Sequence, residues 1–549
     1  MTDTPTVVFG LDGACLDLVR PWIDDGRLPS LADVIDRGGV TPVASTVPAT
    51  TPPAWTSLTT GVNPGKHGIF GFYARQRGTY DLTPVSDALV DRRRLWDYAT
   101  EADLTSCVLN VPVTHPPRPV DGCLVPGYMA PDDPATHPEG VVEDLGLDDY
   151  RVYAAAESDA DADDETLLEQ WLTLTARRAD LAVAAHERYD PDLLFLEFQK
   201  TDAAVHTFDD EERIAAIYEA VDDAMARVLD AVGGDPNVVV TSDHGIGQEK
   251  HWSVALNTWL AEEGYLETAV GGSDREAWGP SSDDDVDVDD EPGSRLASVM
   301  GRLDAVGLTK QRLERTLSAL GLYDLVARMA PAGLGSSLPE ETVDRPRSVA
   351  FYENMGFSGV DVGVAINDSR FYPDGVVGAD DYDAVRDGLM EALAELRGPD
   401  GARAFESVRP REAVYEGPLV DLAPDVVLEQ AEDYVIGSHS PRGQVFVEQA
   451  HRIDHTRRGL LAAAGPDVGD GWSSDAAPGV ADVAPTVLAL LDVAPDVTMD
   501  GRPIDAVLRS SAPEPRDRGA FDNPNAGDDR LDEGHDAVRE RLERMGYLE

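Results

Sequence analysis

Short apolar runs rich in β-branched residues recur between longer amphipathic stretches, and no other feature constrains the fold of this chain as strongly. Candidate strands are Thr6–Leu11, Ser106–Val111, Leu193–Phe198, Asn237–Thr241 and Gly459–Ala463. Helical periodicity occupies Leu28–Arg37, Thr166–Tyr189 and Ser253–Gly264. Strands alternating with helices pair in parallel through crossover connections, and helices then cover both faces of the sheet. The expected class is α/β with a mostly parallel sheet.

A chain of 549 residues is too long for one simple core. The pattern breaks after about Leu266, where Gly271-Gly272-Ser273 opens a polar stretch that becomes acidic through Ser281-Ser282-Asp283-Asp284-Asp285. A helical region follows over about Arg295–Arg328, and sheet-like sequence resumes near Ser348. The organisation this predicts is a core built from 1–265 and 346–512, with a cap insertion over 266–345. An acidic linker over 513–549 ends in a short helix, Asp536–Met545.

Charge narrows the function. The chain carries 103 acidic against 45 basic residues, a net charge of -58, and its lysines are Lys66, Lys200, Lys250 and Lys310. Acid spread along a folded chain keeps it soluble at the cost of self-repulsion, the balance halophiles use. A salt-rich cytoplasm is the first reading; an acidic surface for a basic partner is the alternative. General nucleic-acid binding is disfavoured, because phosphate contacts need basic patches. A phosphorylated substrate would have to be met locally, by metal ions. Cys15, Cys107 and Cys123 have no paired spacing, so neither a disulfide framework nor a thiolate metal site is expected. The N-terminus shows no basic leader, and no run of about 18 apolar residues is present, so a cytoplasmic protein without a membrane span is expected.

Four places put metal-ligand side chains where an open α/β sheet presents its ligands. Asp12 follows the first strand, Asp202 and His206 follow Leu193–Phe198, Asp243-His244 follows Asn237–Thr241, and His455 precedes Gly459–Ala463. Asp202 and His206 are four residues apart and share one face of a helical turn. Oxygen and imidazole ligands without thiolate suit zinc, manganese or a similar divalent ion. Two such ions can clamp the attacking and leaving oxygens of a phosphoryl transfer. A nucleophile is available in Ala49-Thr50-Thr51-Pro52-Pro53-Ala54-Trp55: prolines suit a first helical turn, which puts Thr51 at the N-cap with free backbone N–H groups around it. The alternative is that Thr51 only caps a helix.

Gly10-Leu11-Asp12-Gly13, Thr51-Pro52-Pro53-Ala54-Trp55-Thr56-Ser57 and Gly61-Val62-Asn63-Pro64-Gly65-Lys66-His67-Gly68 together resemble the type I phosphodiesterase/nucleotide pyrophosphatase family of the alkaline phosphatase superfamily. Asp202 with His206, Thr241-Ser242-Asp243-His244-Gly245, His455, Asp482-Val483-Ala484-Pro485-Thr486 and Met499-Asp500-Gly501 follow in the family's order. The resemblance implies an alkaline phosphatase-like core and two divalent metal ions, zinc first. Asp202, His206 and His455 would hold one; Asp12, Asp243, His244 and the Thr51 hydroxyl would hold the other. It further implies hydrolysis of phosphodiester or pyrophosphate bonds through a phospho-threonine at Thr51. A phosphomonoesterase on the same scaffold and a non-catalytic acidic scaffold are the competing readings. Gly71-Phe72 stands where nucleotide pyrophosphatases usually carry an asparagine, which weighs against a nucleotide substrate. His439 and His451 compete with His455. Lys66 and Lys200 are candidate phosphate contacts or plain surface charges, His67 is read as structural, and Glu197 as a partner behind the ligands or a strand-end carboxylate.

Overall fold

The computed structural model describes residues 4–159, 162–270, 341–353, 355, 363–437, 443–474, 477–526 and Val538. Its centre is a seven-stranded sheet. The strands are β1 (Thr6–Leu11), β2 (Gly39–Ala44), β3 (Ser106–Leu109), β4 (Gly122–Val125), β5 (Leu193–Phe198), β6 (Asn237–Thr241) and β7 (Arg458–Ala464). Their order is β2-β7-β6-β1-β5-β3-β4, and only β7 runs against its neighbours. The sheet is mostly parallel, as the sequence predicts.

Alternate residues of each strand feed opposite faces of the sheet. Val7, Phe9 and Leu11 enter one core, against α1 (Leu16–Asp24), α2 (Pro29–Arg37), α5 (Asp164–Tyr189) and α7 (Glu211–Val232). Val8 enters the other, against α3 (Thr51–Thr60), α4 (Leu95–Glu101) and α8 (Val483–Leu490). Local signals set the long helices: Asp163 accepts from the Thr166 amide at 2.9 Å to start α5, and Asp210 accepts from the Glu212 amide at 3.0 Å to start α7. α6 (Lys200–Thr207) follows β5 directly.

Three differences from the sequence reading matter. Strand β3 stops at Leu109 rather than Val111, because Asn110 turns into the left-handed region at φ 64°. The expected helix over Ser253–Gly264 is shorter, Leu256–Glu262, because Ser253 belongs to a long strand, Gly245–Val254. The sheet-like sequence after Ser348 does not enter the central sheet until β7. Ala350–Tyr352, Gly363–Ile366, Val426–Gln430 and Phe405–Pro410 instead form a separate antiparallel sheet with its own apolar core, including Phe351, Ile366, Leu389 and Leu428.

The two ends of the expected insertion pair with each other, Thr268–Val270 antiparallel to Glu341–Val343. The acidic loop and the helix expected over 295–328 lie outside the described residues, as does the terminal helix apart from Val538. The tail does more than link, since Asn523 and Asn525 are buried and donate to Asp87. Among the described residues no helix is long and apolar enough to cross a membrane, and all three cysteines are free and buried.

Candidate active site

Five segments converge beyond one end of the parallel strands. Asp12 leaves β1, Asp243 and His244 leave β6, and Asp202 and His206 lie on α6. Thr51 opens α3, and His455 comes from the strand Phe446–Thr456. That strand pairs antiparallel with Gly245–Val254, His455 opposite Ile246, so the pairing delivers His455 beside His244. The two imidazoles stack with centroids 3.9 Å apart. A register irregularity between Ile453 and His455 marks the place, as bulges do where a side chain must be re-aimed. His455 precedes β7, as expected, but sits within a strand of its own, and β7 begins only three residues later.

Glycine permits the tightest approach. Gly13 has φ +68°, and a Cβ there would stand 2.8 Å from Asp202 Oδ1, so only glycine lets the loop after Asp12 rest on Asp202. The Gly13 amide also donates to Asp243 Oδ1 at 3.2 Å. Thr201 Oγ1 donates to the Asp12 carbonyl at 2.6 Å.

The ligand atoms face one another. His244 Nε2 lies 3.3 Å from both Asp12 Oδ1 and Asp243 Oδ2. Asp202 Oδ1 lies 3.3 Å from both His206 Nε2 and His455 Nε2, which are themselves 2.7 Å apart. Two overlapping sets each close within 4.8 Å: Asp12, Asp243 and His244, and Asp202, His244 and His455.

Asp12, Asp243 and His244 are fully buried, yet Asp12 Oδ1, Asp202 Oδ1, Asp243 Oδ2 and His244 Nε2 have no hydrogen-bond partner. Buried polar atoms are almost always satisfied; here Asp12 Oδ1 and Asp243 Oδ2 face His244 Nε2, and Asp202 Oδ1 faces the Nε2 atoms of His206 and His455. Ligands about 2.0 Å from one tetrahedral ion stand about 3.3 Å apart, the spacing seen here. The residues fit divalent metal.

Surrounding groups prepare that role. His455 Nδ1 donates to the Ala49 carbonyl at 3.0 Å, which leaves the Nε2 lone pair for the cluster. Trp55 Nε1 donates to Asp12 Oδ2 at 3.0 Å and leaves Oδ1 free. Burial and then Asp12 push the Asp243 carboxyl well above the usual carboxylate range. Burial also opposes charge on Asp202, but His206 and His455 hold it well below that range. Glu197 is buried and raised by burial and then by Asp12; its Oε2 accepts from Asn110 Nδ2 at 2.8 Å, so it stands behind the ligands on a side-chain partner.

Thr51 is buried at the start of α3, two residues after Ala49 and one turn before Trp55. The N-cap is Thr50, not Thr51. Pro52 and Pro53 carry no N–H, so Thr51 alone keeps a backbone donor among the first three helical positions. The expected array of free amides is absent there, and an anion would depend on side chains and metal instead.

Both candidate lysines pair with acids that are not among the candidate ligands. The Lys66 ammonium donates to the Thr498 carbonyl at 2.9 Å and pairs with Asp500. Lys200 is buried, pairs with Glu157 at 2.8 Å and lies over the Trp171 ring. His67 is structural: its Nδ1 accepts from the Ile69 amide, which leaves Nε2–H to donate to Ser57 Oγ at 2.8 Å. His439 lies outside the described residues, as does the side chain of His451. Reasoning from sequence missed Trp55 and Asn110 as supports. Only Trp55 gave a signal, as an aromatic inside the nucleophile motif.

Comparison with solved structures gives the same architecture. Phosphonoacetate hydrolase from Sinorhizobium meliloti 1021 in complex with phosphonoformate matches at TM-score 0.54 and 16% identity, over 89% of this chain and 95% of that one. The wild-type alkaline phosphatase PafA matches at TM-score 0.51 and 14% identity, over 92% of this chain and all (100%) of that one. The fold is alkaline phosphatase-like, and the protein is a hydrolase acting on phosphoric ester bonds. Residues 6–318 match the family described as type I phosphodiesterase / nucleotide pyrophosphatase, and the chain belongs to it. The family is metal-dependent, and the carboxylate and imidazole cluster is where this chain could hold its ions.

Proposed function

We propose that this protein hydrolyses phosphodiester or pyrophosphate bonds of a small substrate, with Thr51 as nucleophile beside two divalent ions, zinc by preference. The observation that carries the reading is the set of four buried, partnerless ligand atoms spaced 3.3 Å from their neighbours next to the start of α3. Asp202, His206 and His455 would hold one ion; Asp12, Asp243, His244 and Thr51 the other. When bound, the ions would supply positive charge that eases ionisation of a hydroxyl and offsets charge growing on phosphorus.

The chain's own groups do the rest. The Thr51 hydroxyl gives up its proton and its Oγ forms a bond to phosphorus as the ester oxygen departs with its electron pair and takes up a proton. A water then cleaves the phospho-threonine and restores the hydroxyl. Trp55 and the Ala49 carbonyl orient Asp12 and His455. The net charge of -58 further favours work in a salt-rich cytoplasm.

The test is turnover of bis-p-nitrophenyl phosphate against p-nitrophenyl phosphate in high salt, with chelator and with Zn2+ or Mn2+ add-back. The diester should be the better substrate, and chelation should stop the reaction. A preference for the monoester would replace the diesterase reading with a phosphomonoesterase, and indifference to chelator would remove the metal.

A further inference from the structure

We infer that Ser242 is a positioning residue for the cluster, one hydroxyl that sets the spacing of three ligand-bearing segments. This rests on the reading of Asp12, Asp243, His244 and His455 as metal ligands. Ser242 is fully buried at the end of β6, directly before Asp243. Its Oγ donates to the Ala14 carbonyl, in the loop that follows Asp12, at 2.6 Å. The same oxygen accepts from the Leu460 amide at 2.7 Å, on β7 just after His455, while the Ser242 amide donates to the Leu460 carbonyl at 2.9 Å. The chain leading from Asp12, the chain leading into Asp243 and the chain leading from His455 therefore meet on one atom.

The neighbouring strand leaves room for it. A Cβ at Gly459 would stand 2.5 Å from Ser242 Oγ and 3.1 Å from the His244 carbonyl. Only glycine lets β7 approach closely enough for the Leu460 amide to reach the hydroxyl. The hydroxyl touches no ligand side chain, so its effect passes through backbone position. Groups that orient metal ligands commonly alter affinity 10- to 100-fold when removed.

The experiment compares wild type, Ser242→Ala and Gly459→Ala, with Leu488→Ala as a control in the core on the α8 side of the sheet. Zn2+ affinity is read by chelator competition, and the unfolding midpoint is read with and without Zn2+. Positioning predicts about 10- to 100-fold weaker Zn2+ binding in both Ser242→Ala and Gly459→Ala. It also predicts that the increment Zn2+ adds to the midpoint shrinks, while Leu488→Ala lowers the midpoint and keeps wild-type affinity. If Ser242→Ala does not accumulate as folded protein, Gly459→Ala decides alone. Equal loss of midpoint with and without Zn2+, at unchanged affinity, would make Ser242 a plain structural stitch and overturn the inference. A wild type that binds no Zn2+ would instead sink the reading of the ligands themselves.

Discussion

Asp12 and Asp243 are buried side by side, and buried carboxylates persist only where positive charge or donors offset them. The raised carboxyl of Asp243 has a testable sign. A carboxyl whose folded pKa exceeds its unfolded value of about 3.9 destabilises the fold once ionised, and the penalty fades as pH falls through the raised pKa. Metal-free protein should therefore gain stability on acidification within that window, and metal-loaded protein should not. Asp202 acts oppositely: its depressed pKa gives stability that is lost only as pH falls below about 3.9. Unfolding midpoints of both forms across mildly acid pH check this. Thr51→Ala should lower turnover at least about 1000-fold while leaving bound metal in place; near-normal turnover would remove Thr51 from its role. Trp55→Phe keeps an aromatic ring against Phe195 but deletes the donor to Asp12. It should cost about 1–3 kcal/mol by denaturant titration.

Elements explain what the motifs around the cluster do. Asp500 accepts from the Asn63 amide and side chain, both at 2.8 Å, and pairs with Lys66, so Met499-Asp500-Gly501 latches the turn after α3. Asp500→Ala should cost about 1–3 kcal/mol without changing metal affinity, measured as midpoint and chelator competition side by side. Much of this geometry is legible in sequence because strand-end chemistry is local. Asp12 and Asp243-His244 sit where apolar runs stop, and Asp202 and His206 have helical spacing. His455 is harder to place, since Phe446–Thr456 is a polar strand whose partner lies some 200 residues earlier, a pairing that no local pattern encodes. Lys66 and Lys200 are hard to read from sequence for a similar reason: a scarce cation invites a phosphate, but its acid partner is chosen by tertiary packing. The two prolines did announce that α3 begins there, yet their missing N–H groups also abolish the amide cradle.

The whole molecule combines a conventional apolar interior with an extreme exterior. Both faces of the central sheet are packed by apolar side chains, while the chain as a whole carries 103 acidic against 45 basic residues. Repulsion among those charges is screened within about 10 Å at 0.1 M salt and about 3 Å at 1 M. The unfolding midpoint should therefore climb steeply as KCl is raised from 0.1 to about 2 M; a flat response would show that the charge is already balanced locally. The central claim concerns ions held by one cluster of side chains, and metal content per chain tests it most directly. Protein loaded with Zn2+ and freed of excess by gel filtration should carry two equivalents by mass spectrometry, falling to about one in Asp202→Asn or Asp243→Asn. An active preparation without stoichiometric metal would contradict the account.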